Sequence, residues 1–315
     1  MIAFCVESSH ARGMGHVFRS CVLADAFAAA GHAVKFYIND HAAALQLLQG
    51  RGIVFDIVPL EDATQDWETA AFARDAVDVW ICDRHRTDIR STMRMKATNV
   101  PLVTFDDRGS GAAASDLHIA ALAFDPAEAL AGNRVVRGVS YLILGPQIAA
   151  YRRPRTSAER IIVSLGGADT YGVTTKVMRL LSDAGRSATV IVGPAFTHLD
   201  DLTRATTPAF TIKRNVPSLL EEFAAHDLAV TGGGMTPFEA NATGLPCIVI
   251  ANEDFEVPVG RELQRLGGAL FAGHHEHLDE TLFSQAIPVQ AMSAAALEGI
   301  PIDGTRRVME AVLSL

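Results

Sequence analysis

The sequence predicts an α/β protein made of two Rossmann-like units, and three observations support this fold class. Short apolar runs rich in β-branched residues alternate with helical patterns along the chain. Continuous apolar strands separated by helices are typical of parallel sheets that are covered on both faces. At 315 residues, the chain exceeds the size at which one core keeps growing, so we expect two domains, 1–150 and 151–315.

The predicted strands fall into two groups separated by a linker. The first half contains "IAFCV", "AVKFYI", "IVFDIV", "VDVWIC", "PLVTF", "LHIAAL" and "YLILG", and the second half contains "RIIVSLGG", "ATVIVG", "AFTIK", "DLAVTGGG", "PCIVIA" and "GALFAG". The segment between them, residues 146–160, is polar and basic and contains two prolines, which indicates a linker. We expect the two units to face each other across a cleft.

Composition excludes several classes of protein. The net charge of -9, with no run rich in lysine or arginine, leaves no electrostatic footprint for nucleic acid or an anionic membrane surface. Four scattered cysteines without a CxxC pair indicate free buried thiols. The N-terminus has no secretory signal pattern, and no apolar run approaches the length of a membrane span. We therefore expect a cytoplasmic protein without a membrane span.

A glycine turn with a histidine follows the first predicted strand, in "SSHARGMGHVFRS". Gly13 and Gly15 would expose backbone N–H groups at the positive end of a helix dipole, where an anion is stabilised. His16 follows at the sheet edge where ligands of such folds lie, and an imidazole there can act as a general base. Alternatively, the turn is an ordinary connection and His16 caps the helix. The spacing supports both interpretations equally.

Charged residues follow two further predicted strands of the first unit. Asp83 and His85 come after "VDVW", and Asp106 and Asp107 come after "PLVTF". Parallel strands would bring these residues to the same edge as His16, where carboxylates orient a histidine and raise its basicity. The alternative for any single residue is a solvated surface turn.

In the second unit, "SLGGADTYG" places Gly166 and Gly167 between a strand and a helix. This arrangement indicates a phosphate-sized nest of backbone N–H groups, without the lysine of a P-loop. The alternative is an ordinary glycine turn in which Asp169 caps the helix.

The segment "TGGGMTPFEANATGLPCIVI", residues 231–250, carries a stronger pattern. Gly233 and Gly234 allow close approach of the backbone to a ligand, and Met235 and Thr236 open a short helix. Glu239 lies on the same side of that helix as Thr236. The pair is either a capping box, or a site in which Glu239 accepts hydrogen bonds from a ribose diol.

Neither a metal nor an organic cofactor is indicated. The "GHHEH" segment, residues 273–277, is better explained as solvated histidines on a loop than as a metal site. A dinucleotide-binding turn would carry a third glycine, which "GMGHVF" lacks, so hydride transfer is a poor fit.

Together, these motifs resemble the UDP-sugar hydrolase family of the pseudaminic acid pathway. The resemblance covers nearly the whole chain in order, and its most specific pieces are GxGHxxR and GGGxTxxE with the following GLP. That family is itself similar to the GT-B glycosyltransferase that adds N-acetylglucosamine in peptidoglycan lipid-intermediate synthesis. The resemblance implies a GT-B fold, with UDP held mainly by the C-terminal domain and the sugar facing the N-terminal one.

The resemblance also implies an activity. The family hydrolyses a UDP-linked diacetamido-trideoxyhexose at the anomeric carbon without a metal, and a histidine that matches His16 activates water. We expect Asp83 and Asp107 to complete the catalytic group. We expect contacts with the UDP-sugar from Gly13, Gly15, Arg19, His85, Gly166, Gly167, Gly233, Gly234, Met235, Thr236, Glu239 and Glu256.

The chain departs from the family where the sugar would bind. Phe255 and Glu256 replace the family's Asn-Gln pair, His85 replaces the tyrosine of a D-x-Tyr motif, and Ile148 replaces the tyrosine of LLGPxY. An inverting glycosyltransferase that uses His16 on an acceptor hydroxyl is therefore the alternative. A sensor or scaffold that binds without chemistry ranks below both, because binding alone does not require a base at this edge.

Overall fold

The computed structural model describes residues 1–9, 14–167, 169–193, 196–214 and 216–315. These residues divide into two compact units, one formed by Met1–Gly145 with Asp303–Leu315 and the other by Pro146–Ile302. Each unit contains one parallel sheet with helices connecting its strands. The prediction of two Rossmann-like α/β domains is confirmed.

Unit 1 contains a seven-stranded sheet of order β3-β2-β1-β4-β5-β6-β7, whose neighbouring strands are all parallel. Its strands are β1 (Ile2–Val6), β2 (Val34–Ile38), β3 (Phe55–Ile57), β4 (Val79–Asp83), β5 (Leu102–Phe105), β6 (Leu117–Ala120) and β7 (Arg134–Arg137). Its helices are α1 (Gly15–Ala29), α2 (Ala42–Gly50), α3 (Trp67–Arg74), α4 (Ile89–Lys96) and, at the end of the chain, α12 (Gly304–Leu313).

Unit 2 contains a six-stranded parallel sheet of order β10-β9-β8-β11-β12-β13. Its strands are β8 (Ile161–Ser164), β9 (Ala188–Val192), β10 (Phe210–Arg214), β11 (Leu228–Thr231), β12 (Cys247–Ala251) and β13 (Ala269–His274). Its helices are α5 (Ile148–Tyr151), α6 (Val173–Asp183), α7 (Leu199–Ala205), α8 (Leu219–Ala224), α9 (Thr236–Ala242), α10 (Val257–Arg265) and α11 (Val289–Gly299).

Successive side chains of the central strands pack into apolar clusters on opposite faces of the sheet, which explains their continuous apolar runs. In β1, which is buried throughout, Phe4 packs with Phe27 and Phe36 on one face, and Cys5 packs with Trp80 on the other. Both faces of the sheet are therefore covered. This explains why the strand sequences show no alternation of apolar and polar residues.

The strand orders place a ligand-binding edge in each unit. When the strands of each unit are numbered in chain order, both sheets have the order 3-2-1-4-5-6, and unit 1 adds a seventh strand at the end. The chain therefore reverses its direction across the sheet between the first and fourth strands. In open α/β sheets, ligands bind beyond the carboxyl ends of the strands at this switch point. In unit 1 these are the ends of β1 and β4, and in unit 2 the ends of β8 and β11.

Two predictions about unit 1 need correction. The run "YLILG" is not a strand. Its residues Leu142 and Leu144 are buried against α12, where the Thr305 hydroxyl donates to the Leu144 carbonyl at 2.9 Å. The seventh strand is instead "RVVR" (β7), an exposed edge strand. Residues Asp303–Leu315 belong to unit 1, although we expected them in the second domain. The reason is that Val308, Ala311 and Val312 of α12 join the core around α1.

The segment expected to be a linker is packed into unit 2 through its arginines. Arg155 is buried, and its guanidinium donates to the carbonyls of Thr243, Phe223 and Arg153. Arg152 donates to the Ala242 carbonyl at the end of α9. These side chains donate to backbone carbonyls at the ends of α8 and α9.

The four cysteines are free and buried, as the sequence predicts. Among the described residues, no helix is both long and apolar enough to cross a membrane.

Candidate active site

His16 lies in the first turn of α1, at the switch point of unit 1, and contacts the end of β4. Its Nδ1 is 2.7 Å from Oδ1 of Asp83, the last residue of that strand. The imidazole is one-fifth exposed, whereas the Asp83 carboxylate is buried. No side-chain hydrogen bond caps α1 at its N-cap, Met14. The histidine therefore pairs with a carboxylate, and the helix-cap interpretation does not hold.

The short contact determines which nitrogen of His16 carries the proton. A carboxylate oxygen and an imidazole nitrogen approach to 2.7 Å only with a proton between them, because two lone pairs repel. Nδ1 is then the donor to Asp83, and Nε2 of a neutral imidazole keeps its lone pair. Arg19 Nη2 lies 3.4 Å from Nδ1, too far to compete with the carboxylate. His16 thus has the tautomer that a general base requires.

Asp83 is held by donors from α1. Arg19 donates to it through Nε at 2.8 Å and Nη2 at 2.6 Å, and the Ser20 hydroxyl donates at 2.8 Å. The third arm of the same guanidinium, Nη1, donates to Asp106 Oδ2 at 2.5 Å. One buried arginine therefore joins the loop after β5 to the carboxylate that orients His16.

The charges of this group perturb one another. Burial alone would raise the pKa of Asp83, but the charges and hydrogen bonds of Arg19 and His16 hold it well below its usual range. Burial alone would lower the pKa of Arg19, but Asp83 and Asp106 raise it above its ordinary value. Asp83 is therefore an anion, and Arg19 a cation, near neutral pH.

The structure gives Asp107 a different place from the one we expected. Its carboxylate accepts hydrogen bonds from the backbone N–H groups of Thr87 and Gly109, at 2.9 and 2.8 Å, and from the Thr87 hydroxyl. Burial raises its pKa above the ordinary value. Asp107 thus closes a loop beside the site, and its neighbour Asp106 reaches Arg19. The reason is the backbone of Asp106, whose φ of 47° turns the chain sharply after β5.

The remaining predicted residues of unit 1 have different surroundings. Arg19 is buried between two carboxylates, so we assign it a positioning role in place of ligand contact. Gly15 begins α1, and an added Cβ would meet none of the described residues within 4 Å. His85 follows β4, and its carbonyl accepts from the Arg108 N–H. Gly13 lies outside the described residues.

In unit 2, two glycine turns follow β8 and β11. Added Cβ atoms at Gly166, Gly167 and Gly234 would meet no described atom within 4 Å, so packing does not explain these glycines. Gly166 has a φ of +92°, which glycine adopts readily. Asp169 accepts from the N–H groups of Val173 and Thr174, as the capping interpretation predicts. Among the described residues, no atom occupies the space that a side chain would take at these three glycines.

Glu239 is a half-buried carboxyl group in α9 for which the described residues provide no hydrogen bond or ion pair. Burial raises its pKa to about 7. The capping box is not formed, because α9 has Met235 as its N-cap without a side-chain hydrogen bond, and Thr236 is the first helical residue. Once ionised, the group can therefore accept hydrogen bonds from a ligand through both of its oxygens.

The Glu256 side chain holds the loop that contains Gly233 through backbone hydrogen bonds. Its Oε2 accepts from the Asn252 N–H at 2.7 Å and from the Gly233 N–H at 3.4 Å, and a Cβ at Gly233 would lie 2.5 Å from the Glu256 Cβ. Burial raises the pKa of Glu256. We expected it to contact the sugar, but the side chain turns inward. Phe255, beside it, is half exposed.

Two other positions singled out in the sequence have structural roles. Ile148, where the resembling family has a tyrosine, is buried in α5. His275 of "GHHEH" is buried and stacks on the Tyr171 ring with the centroids 4.5 Å apart. Its pKa is lowered by burial and by the neighbouring His274 and Lys176.

The class of fold is also shown by solved structures. MurG of Acinetobacter baumannii aligns with a TM-score of 0.71 and 12% identity, covering 100% of this chain and 99% of MurG. HepE of Anabaena, solved in complex with UDP, aligns with a TM-score of 0.68 and 13% identity over the full length of both chains. The chain has the GT-B fold.

In sequence, the chain is similar to SpsG of Bacillus subtilis, a spore coat polysaccharide biosynthesis protein. The two are 24% identical over 299 residues, which is 90% of this chain and 87% of SpsG. No protein-family model matches the chain.

Proposed function

We propose that this chain is a nucleotide-sugar enzyme of surface-polysaccharide biosynthesis that cleaves the anomeric C–O bond of a UDP-linked acetamido-deoxy sugar. The observation that carries the proposal is the His16–Asp83 pair at the switch point of unit 1. The role of SpsG in coat polysaccharide biosynthesis and the UDP complex of HepE support the substrate class.

In the proposed reaction, water is the nucleophile. Nε2 of His16 takes a proton from water as the oxygen attacks C1, a new C1–O bond forms, and the C1–O bond to the diphosphate breaks. UDP leaves with the bonding electron pair, and the free sugar is released. Asp83 stabilises the imidazolium that forms, in the way that a buried carboxylate does in hydrolase triads.

Unit 2 would hold the nucleotide. The backbone at Gly166, Gly167 and Gly234, where an added Cβ would meet no described atom, suits the diphosphate. Gly233, whose N–H donates to Glu256, would bring the same loop close to the nucleotide. The carboxylate of Glu239 suits the two ribose hydroxyls, because it accepts two hydrogen bonds and has no partner among the described residues. We propose these contacts together with Met235 and Thr236, which connect the glycine loop to Glu239.

The second candidate is an inverting glycosyltransferase. The fold similarity to glycosyltransferases supports it, and its chemistry differs only in that His16 takes the proton from an acceptor hydroxyl. The residues that resemble the pseudaminic acid family favour water. The chain departs from that family at four positions, His85, Ile148, Phe255 and Glu256. The identity of the sugar is therefore a question for experiment.

The test is to incubate the protein with a panel of UDP-sugars that includes 2,4-diacetamido-2,4,6-trideoxyhexoses, without an acceptor, and to follow products by NMR. Release of UDP with free sugar is expected. Binding without release would overturn the hydrolase in favour of the transferase, and the absence of binding to UDP and to every UDP-sugar would overturn the whole proposal.

A matched pair of variants tests the base. His16→Ala is expected to reduce turnover by about 10²–10⁴-fold with UDP binding retained, since general-base catalysis contributes that much. His277→Ala removes an exposed histidine of unit 2 and should leave turnover and UDP binding unchanged. Full turnover by His16→Ala would disprove the role of His16.

A further inference from the structure

The sequence places Asp106 at the edge beside His16 but assigns the catalytic role to its neighbour Asp107, yet the Asp106 side chain is fixed as firmly as that of Asp83. It is 6% exposed, its Oδ1 accepts from the Leu122 N–H at 2.8 Å, and its Oδ2 accepts from Arg19 at 2.5 Å. Its own N–H donates to the Ile119 carbonyl at 2.9 Å. All of these contacts lie at the carboxyl edge of the unit 1 sheet.

The backbone of Asp106 is in an uncommon conformation. Its φ of 47° is in the left-handed region that non-glycine residues rarely enter. Such strained residues cluster at functional sites, where the surrounding structure enforces them. Here the turn follows β5 directly, and the Asp106 carboxylate reaches Arg19.

Counting charges shows what Asp106 contributes. Arg19 is positive, and Asp83 and Asp106 are negative, so the buried group carries one net negative charge when His16 is neutral. Protonation of His16 brings the sum to zero. Without Asp106 the group would be neutral at rest and positive once His16 had accepted a proton. Glu7 and Arg84, which follow β1 and β4, pair with each other at 3.4 Å and add no net charge.

We propose that Asp106 is a positioning residue that strengthens His16 as a base. It acts through Arg19, by fixing the guanidinium that holds Asp83 and by supplying the negative charge that the imidazolium balances. Because Arg19, Asp83 and Asp106 are buried, solvent screens this charge weakly. The inference rests on the proposed role of His16 and goes beyond it by assigning a second carboxylate to the site.

The principal variant is Asp106→Asn, which removes the charge but keeps the shape and tolerates a positive φ. We expect kcat on the plateau of the pH profile to fall about tenfold, because a weaker base transfers the proton less readily. The acid limb should move to lower pH by about one unit, because the imidazolium loses a favourable charge. KM and UDP affinity should remain unchanged.

Glu68→Gln is the control, because it also removes a buried carboxylate paired with an arginine of unit 1, without contact to Arg19. It should lower thermal stability and leave the acid limb in place. If Asp106→Asn fails to fold, Asp106→Gly supplies the positive φ without the carboxylate and should show the same shift. An acid limb that does not move in the folded variant overturns the proposal.

A readout independent of turnover separates this inference from the proposed function. Diethyl pyrocarbonate acylates neutral imidazole nitrogen, and mass spectrometry of the His16 peptide follows the reaction across pH. In Asp106→Asn, modification should begin at lower pH and proceed more slowly at its plateau. Identical profiles in the variant and the parent would refute the inference, whereas inactivity of the parent on every UDP-sugar would refute only the proposed function.

Discussion

Replacing Asp83 by asparagine is the most informative perturbation of the candidate site. Four donor groups converge on the two oxygens of Asp83: Nε and Nη2 of Arg19, the Ser20 hydroxyl and Nδ1–H of His16. An amide offers one oxygen and one NH2 group. If the NH2 group faces His16, it donates to Nδ1 and moves the imidazole proton to Nε2. If it faces Nε of Arg19, two donors oppose each other. In both orientations the negative charge is lost.

The expected loss of activity follows from that geometry. In a Ser-His-Asp triad, the same substitution lowers kcat about 10⁴-fold, because the wrong tautomer predominates. The hydrogen bond of Asp83 to Nδ1 is the same in kind, so we expect a loss of about 10³–10⁴-fold, or roughly 4–5.5 kcal/mol. UDP affinity should be unchanged, because the proposed nucleotide contacts come from unit 2.

The same substitution has a stability signature. Removing one partner of a buried ion pair costs about 3–5 kcal/mol, and the lower end applies because Arg19 keeps Asp106. The pKa of Asp83 is depressed in the folded protein, so its contribution is complete above the unfolded value of about 3.9 and is lost as pH falls through the folded pKa. The stability difference between parent and variant should therefore be constant above about pH 5 and shrink in acid.

Steady-state turnover, calorimetric UDP titration and thermal unfolding from pH 3 to 8 measure these effects. Ser20→Ala serves as the control, because it removes one hydrogen bond from Asp83 and leaves the charge, at a cost of about 1 kcal/mol. A folded Asp83→Asn protein with the turnover of the parent would refute the tautomer argument.

Three further predictions concern unit 2. Glu239→Gln should weaken UDP binding. It should raise the unfolding temperature at pH 8 and leave it unchanged near pH 4. The reason is that burial raises the pKa of Glu239 to about 7, so the folded state loses stability as pH rises from the pKa of the unfolded chain to 7. An equal destabilisation at both pH values would contradict this. Gly234→Ala should fold normally and lose roughly tenfold in UDP affinity. Its control, Gly244→Ala, puts a Cβ 2.5 Å from the Arg153 carbonyl oxygen at a φ of +79° and should destabilise the protein by about 1–3 kcal/mol. Arg155→Met should cost about 1–3 kcal/mol in denaturant unfolding, because it removes the charged donor that the carbonyls of Arg153 and Phe223 share, and a fully stable variant would show that these contacts contribute little.

The sequence by itself determined the fold class and the location of the candidate site. Continuous apolar runs identified every strand of unit 2 and the first six of unit 1, since a strand buried on both faces has no polar alternation. Glycine turns directly after strands indicated where ligands would approach. His16 is a candidate because a titratable residue in such a turn lies at the binding edge of a parallel sheet.

The tertiary structure alone decided which residues meet. Asp106 and Asp107 follow the same strand, and only the positive φ of Asp106 shows that it, and not its neighbour, reaches Arg19. Likewise, "YLILG" is buried by α12, which returns from the far end of the chain. Periodicity and turn residues report on neighbours a few positions away. The contacts of Arg19 with Asp83 and Asp106 span 64 and 87 positions, and packing of the completed sheet establishes them.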